Sequence, residues 1–104
     1  MRTAALFLLL ASSLAAQSPE TLFKQGKYDD AKWAFQAQLA TNARDANALF
    51  YLGRIAEEQD RFSEAVDWYE KALKINDTSA TYHFWLGSAT GALAQRARDR
   101  KSVV

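Results

Sequence analysis

Apolar and small residues recur along this chain at helical spacing, in runs separated by short polar breaks. Over residues 46–79 they fall at Leu49, Leu52, Gly53 and Ala56, then, past Glu57-Glu58-Gln59-Asp60, at Ala65, Tyr69, Ala72 and Leu73. Each run carries the i, i+3, i+4, i+7 stripe of a helix that buries one face. The break between them leaves room only for a tight turn, so the two runs predict an antiparallel helix pair. Upstream, Ser18-Pro19-Glu20 predicts a helix start: a hydroxyl cap, a proline in the first turn and an acid beside the positive helix end. That helix is short, ending at Gly26. A second, with Ala31, Phe35 and Leu39 on one face, runs to the break Thr41-Asn42-Ala43-Arg44-Asp45, where Asp45 is placed to cap the next helix.

Sliding the chain by 34 residues superimposes like on like. Lys27 lands on Arg61, Tyr28 on Phe62, Ala31 on Ala65, Phe35 on Tyr69 and Leu39 on Leu73. In the other direction Ala46 lands on Ala80, Phe50 on Phe84, Tyr51 on Trp85, Leu52 on Leu86 and Gly53 on Gly87. A fixed period of this length marks a stacked helical array rather than one closed core. The array divides into a partial first unit over 17–45, a complete central unit over 46–79, and an incomplete third unit with a basic tail over 80–104. In the third unit Tyr82-His83-Phe84-Trp85-Leu86-Gly87 opens well, but no turn and matching second helix follow. A solenoid needs about three repeats and a polar end helix. The chain is therefore expected to be the front part of a longer protein, with Tyr82, Trp85 and Leu86 exposing surface that the rest covers.

The motif Leu49…Leu52-Gly53…Ala56…Ala65…Tyr69…Ala72, echoed by Tyr28…Ala31…Phe35 and Leu86-Gly87, resembles the tetratricopeptide repeat family. The resemblance implies an all-α fold of antiparallel helix–turn–helix repeats stacked as a short right-handed α-solenoid. Gly53 and Ala65 are then small so that the two helices of a unit approach closely, and Ala72 is small where the next unit leans on it. The chain departs from the family pattern where Ala56 replaces an aromatic, Asp60 a glycine and Asp77 a proline. Gly26 alone keeps the turn glycine. Asn76-Asp77-Thr78-Ser79 still supplies turn and cap chemistry in place of the proline.

Composition adds the compartment and removes chemistry. Hydrophobic residues make up 49% and charged residues 24%, with a net charge of +1, so no global field points to nucleic acid or acidic lipid. Cysteine is absent, which excludes a disulfide framework, a thiolate metal site and a cysteine nucleophile. Residues 1–16 have the order of a secretory signal: Arg2, then the apolar run containing Leu6-Phe7-Leu8-Leu9-Leu10, then small residues to Ala15-Ala16. The run is shorter than the about 20 apolar residues of a bilayer-spanning helix. Cleavage after Ala15 or Ala16 is expected, with export from a bacterial cytoplasm to the periplasm or beyond and no membrane span afterwards.

Catalytic and metal chemistry find no foothold. His83 is the only histidine, and Ser79, Ala80, Leu86 and Gly87 surround it one turn away, so it has no orienting carboxylate or second ligand. Glu57, Glu58, Asp60, Glu64, Asp67 and Glu70 sit beside Arg54, Arg61, Lys71 and Lys74 and read as a solvated face. Pairs Asp67–Lys71 and Glu70–Lys74 are each expected to contribute about 0.2–0.5 kcal/mol. Arg96, Arg98, Arg100 and Lys101 read as an exposed helix end. No phosphate loop or nucleophile motif is present, so no catalytic residue, cofactor or metal is expected.

Partner binding is the remaining class. In the family that the chain resembles, the first helix of each unit lines the concave side. Its residues not needed for internal packing are Asn47, Phe50, Arg54 and Glu57, with Thr81, Phe84, Ser88 and Gly91 one period on. These would face a groove that takes an extended peptide or a partner helix. Phe50 and Phe84 stand equally for groove anchors and for packing between units, whereas Arg54 and Asn47 favour the groove, because charged and amide groups are seldom buried. Some family members clamp a carboxylate-terminated peptide there with Lys, Asn and Arg; Phe50, Tyr51, Thr81 and Trp85 stand here instead, and that activity does not carry over. The expected function is a non-catalytic protein-interaction scaffold. Alternatives are an accessory region of a longer exported protein whose activity lies past Val104, and a structural protein that self-associates through its third unit.

Overall fold

The computed structural model describes residues 17–102 and holds five helices among them. They are α1 (Pro19–Lys24), α2 (Tyr28–Thr41), α3 (Ala46–Glu58), α4 (Phe62–Ile75) and α5 (Ala80–Ser102). The signal sequence expected over 1–16 lies outside the described residues. Each helix packs on the next in chain order, and α3 also touches α5 directly. This is the all-α stack of antiparallel pairs that the period implies.

Local chemistry sets the boundaries. Ser18 Oγ accepts the Thr21 amide at 3.1 Å, Asp45 Oδ1 the Ala48 amide at 3.0 Å and Ser79 Oγ the Tyr82 amide at 3.2 Å, so three first helices are capped at their starts. The two turns inside the pairs are copies of each other. Gly26, with φ +76°, ends α1 while the Lys27 amide donates to the Leu22 carbonyl at 2.9 Å. Asp60, with φ +61°, ends α3 while the Arg61 amide donates to the Ala56 carbonyl at 2.8 Å. The left-handed residue and the bond spanning five residues form the same helix stop. Asp60 therefore occupies a glycine conformation that strains a side chain. Asp60→Gly is expected to raise stability by about 0.5–1 kcal/mol, read as a higher midpoint in urea melts.

The core runs along the stack rather than closing on itself. Ala31 and Phe35 of α2 pack with Ala48, Leu52 and Ile55 on one side of α3. On the other side of α3, Leu49, Phe50 and Ala56 pack with Ala65, Tyr69 and Ala72 of α4 and Ala89 of α5. A helix sandwiched this way must be apolar nearly all round, which is why α3 buries seven residues and α5 only Ala89. Phe35 and Tyr69, one period apart, are both fully buried, and so are Ala31 and Ala65. Gly53 lies beneath the Tyr69 ring: an added Cβ would sit 2.6 Å from Cδ1 and closer still to Cε1. The small residue thus brings α3 and α4 together, as the pattern implied.

Two expectations change and one holds. The third unit exposes Phe84 (66%), whereas Tyr82, Trp85 and Leu86 are half-buried against the second unit, because they point back along the stack. The basic tail is the exposed helix end expected, with Arg96, Arg98, Arg100 and Lys101 all exposed on α5. α5 continues unbroken past the point where α3 turns, and Arg96 donates to the Asp60 carbonyl at 3.0 Å with its guanidinium 4.6 Å over the Phe62 ring. Finally, Asp67–Lys71 and Glu70–Lys74 do not pair; Lys71 Nζ instead lies 4.7 Å over the Trp68 ring.

Candidate functional site

The first helices of the three units, α1, α3 and α5, lie side by side and form one wall. Near its start Asn47 donates to Glu20 of α1 at 3.0 Å while staying exposed. At its middle the Arg54 guanidinium sits 3.5 Å over the Trp85 ring of α5 and 5.4 Å from the Phe23 ring of α1. Aromatic faces attract cations, more so where water is excluded. Arg54 also pairs with Glu57 at 3.3 Å and Glu58 at 3.2 Å, and its side chain is only 13% exposed.

Glu57 is shared. The Tyr69 hydroxyl donates to Glu57 Oε2 at 2.8 Å, so the chain Tyr69–Glu57–Arg54–Trp85 runs from the core of the central unit to the third. Burial first, and then the bond to the Glu57 carboxylate, push the Tyr69 hydroxyl above its usual range, which keeps it protonated as donor.

The expected site residues therefore separate. Asn47, Thr81, Phe84 and Ser88 are exposed on the first helices. Arg54 and Glu57 lie on the wall but are held by the scaffold: the charge is satisfied by two rings and two carboxylates rather than left for a partner. Phe50 is a packing residue. It is 8% exposed, stacks on Tyr82 at 4.9 Å and lies 5.8 Å from Tyr69. Its period mate Phe84 is exposed because no further helix supplies the counterpart of Tyr82 among the described residues. Gly91 is exposed as well.

Trp85, Phe23 and Glu20 belong to the wall and were not in the expected set. The signal for two of them was the same period run backwards, which places Glu20 on Arg54 and Phe23 on Glu57. Replacing Arg54 by alanine is expected to cost about 1–3 kcal/mol, since it strips Glu57 of its cation and separates Trp85 from α3. Urea unfolding followed by circular dichroism measures it; an unchanged midpoint would show Arg54 to be a free surface cation.

Among the described residues no three histidine, aspartate or glutamate side chains converge on a metal site, and no helix is long and apolar enough to cross a membrane. The comparison with curated proteins gives no match. A family model described as "Tetratricopeptide repeat" matches residues 20–80, more than half of the chain.

Proposed function

The chain belongs to the tetratricopeptide repeat family, whose members generally mediate protein–protein interaction, and on that premise we propose that it is a non-catalytic scaffold that holds a segment of another protein on the α1–α3–α5 wall. The observation that carries this reading is the Arg54 guanidinium lying near Phe23 of α1 and over Trp85 of α5, which links the first helices of the three units. Around it Asn47, Thr81 and Ser88 remain exposed as hydrogen-bonding groups and Phe84 as an apolar anchor. A wall pre-set by its own contacts binds without paying for its own ordering, which favours extended peptide segments. Arg54 acts here by shaping the wall, not by pairing with the ligand.

The protein is further proposed to work outside a bacterial cytoplasm, the order of residues 1–16 supporting export. Peptides selected from a random display library against the full chain test the wall. Thr81→Arg and Ser88→Arg are expected to weaken them at least about tenfold, a change typical of an interface centre. Trp33→Ala, at a side chain 78% exposed on the second helix of the first unit, is expected to leave them unchanged. Selected peptides indifferent to both wall substitutions would contradict the reading.

A further inference from the structure

We propose a covalent modification of this protein: once residues 1–16 are removed, Gln17 is the N-terminal residue and closes on itself to a pyroglutamate. The inference rests on the export proposed above and is independent of the wall. Its setting is the junction between the expected signal and the first helix. The small residues Ala15-Ala16 end immediately before Gln17, and the cap of α1 begins immediately after it. Gln17 is exposed and lies outside α1, and no hydrogen bond among the described residues engages it. The helix takes hold one residue later. Ser18 Oγ accepts the Thr21 amide at 3.1 Å and lies 2.8 Å from Thr21 Oγ1, while the Ser18 carbonyl accepts the Leu22 amide at 3.1 Å. Gln17 can therefore turn about its own bonds without disturbing the cap.

Glutamine at a free N-terminus carries both reactants of the ring. The α-amino nitrogen attacks Cδ of the side-chain amide, and a C–N bond forms in a five-membered lactam. The Cδ–Nε2 bond breaks, and Nε2 leaves as ammonia with the proton that the amine gives up. Nothing is oxidised or reduced, and no co-reactant is consumed. A nucleophile held on the same residue acts at very high effective concentration. An α-amine has a pKa of about 8, so an appreciable share is the unprotonated nucleophile at neutral pH. While residues 1–16 remain attached, the Gln17 nitrogen is a peptide amide and the ring cannot form. The modification therefore records the cut. Its product carries no charge at the first residue. A free ammonium there would lie three residues from Glu20, whose carboxylate accepts the Asn47 side chain at 3.0 Å and ties α1 to α3. Ring closure leaves that carboxylate to Asn47.

The full chain, residues 1–16 included, is produced in an exporting bacterial host and the exported protein is weighed by mass spectrometry. The expected mass is that of residues 17–104 less one ammonia. The N-terminal peptide is expected to escape an amine label applied near neutral pH, where an α-amine reacts ahead of lysine. Gln17→Ala, at an exposed position outside the helices, is expected to be exported and cut at the same bond, to lose no ammonia and to take the label in full. An exported chain that begins at Gln17 with its amine free, or that begins at Ala16 or any other residue, overturns the proposal and leaves export standing. A chain that keeps residues 1–16 overturns both, so the two failures are separate results.

Discussion

Truncating Tyr69 to alanine is expected to cost about 3–5 kcal/mol, the range for removing a large aromatic side chain from a closed core. The ring is fully buried, covers Gly53, lies 5.8 Å from the Phe50 ring and carries the hydroxyl that satisfies Glu57. Its loss opens a cavity between α3 and α4, the most intimately packed pair, and removes a donor from a half-buried carboxylate. Small domains are stable by about 5–15 kcal/mol, so the variant is expected to melt at the edge of the folded range. Tyr69→Phe separates the two effects: it keeps the ring and gives up only the bond, for about 1–2 kcal/mol.

The same hydroxyl gives the protein an alkaline limit. Burial raises the Tyr69 and Tyr82 hydroxyls above their ordinary value of 10.0, with the Glu57 and Asp45 charges adding to it respectively. An unfolded tyrosine ionises near that ordinary value while the folded one holds its proton. The stability tied to these groups is therefore fully present below it and falls as pH rises above it toward the raised folded values. Urea midpoints are expected to be flat with respect to these tyrosines at neutral pH and to drop in that alkaline window, less so in Tyr69→Phe.

The second large effect is a contrast between two glycines in the same phase of the repeat. Gly53→Ala is expected to destabilise by about 1–3 kcal/mol, because the new methyl collides with a fully packed ring whose backbone is fixed on both sides. Gly87→Ala, one period later, meets open space and is expected to stabilise by about 0.5–1 kcal/mol through helix propensity alone. Equal effects at the two positions would mean that α4 does not nest on Gly53.

Much of this stack was legible in the sequence because it is written in residue size. Gly53, Ala65, Ala72, Phe35 and Tyr69 announce helix pairs in close contact, and Ser18, Asp45 and Gly26 announce where helices begin and stop. The sites were less legible, because exposure depends on neighbours and not on residue type. Phe50 and Phe84 are the same residue in the same phase, yet one is buried and the other is 66% exposed, since among the described residues only Phe50 has a following first helix to lie against. Arg54 reads as a groove cation until two rings from different units are found on either side of it. Its charge and the two acids that pair with it one turn on, Glu57 and Glu58, show in the sequence; the rings that cover it come from helices far away in the chain. The unbroken run of α5 was readable, since alanine, leucine, glutamine and arginine between Ala92 and Arg98 contain no breaker.

Nesting of α4 on α3 in register with the repeat is tested most directly by proton NMR of the folded chain. The Gly53 Hα protons are expected to show cross-relaxation to the Tyr69 ring and a strong ring-current shift, while those of Gly87 show neither. Gly53 and Gly87 signals with the same unshifted values, and no cross-peak to Tyr69, would contradict it.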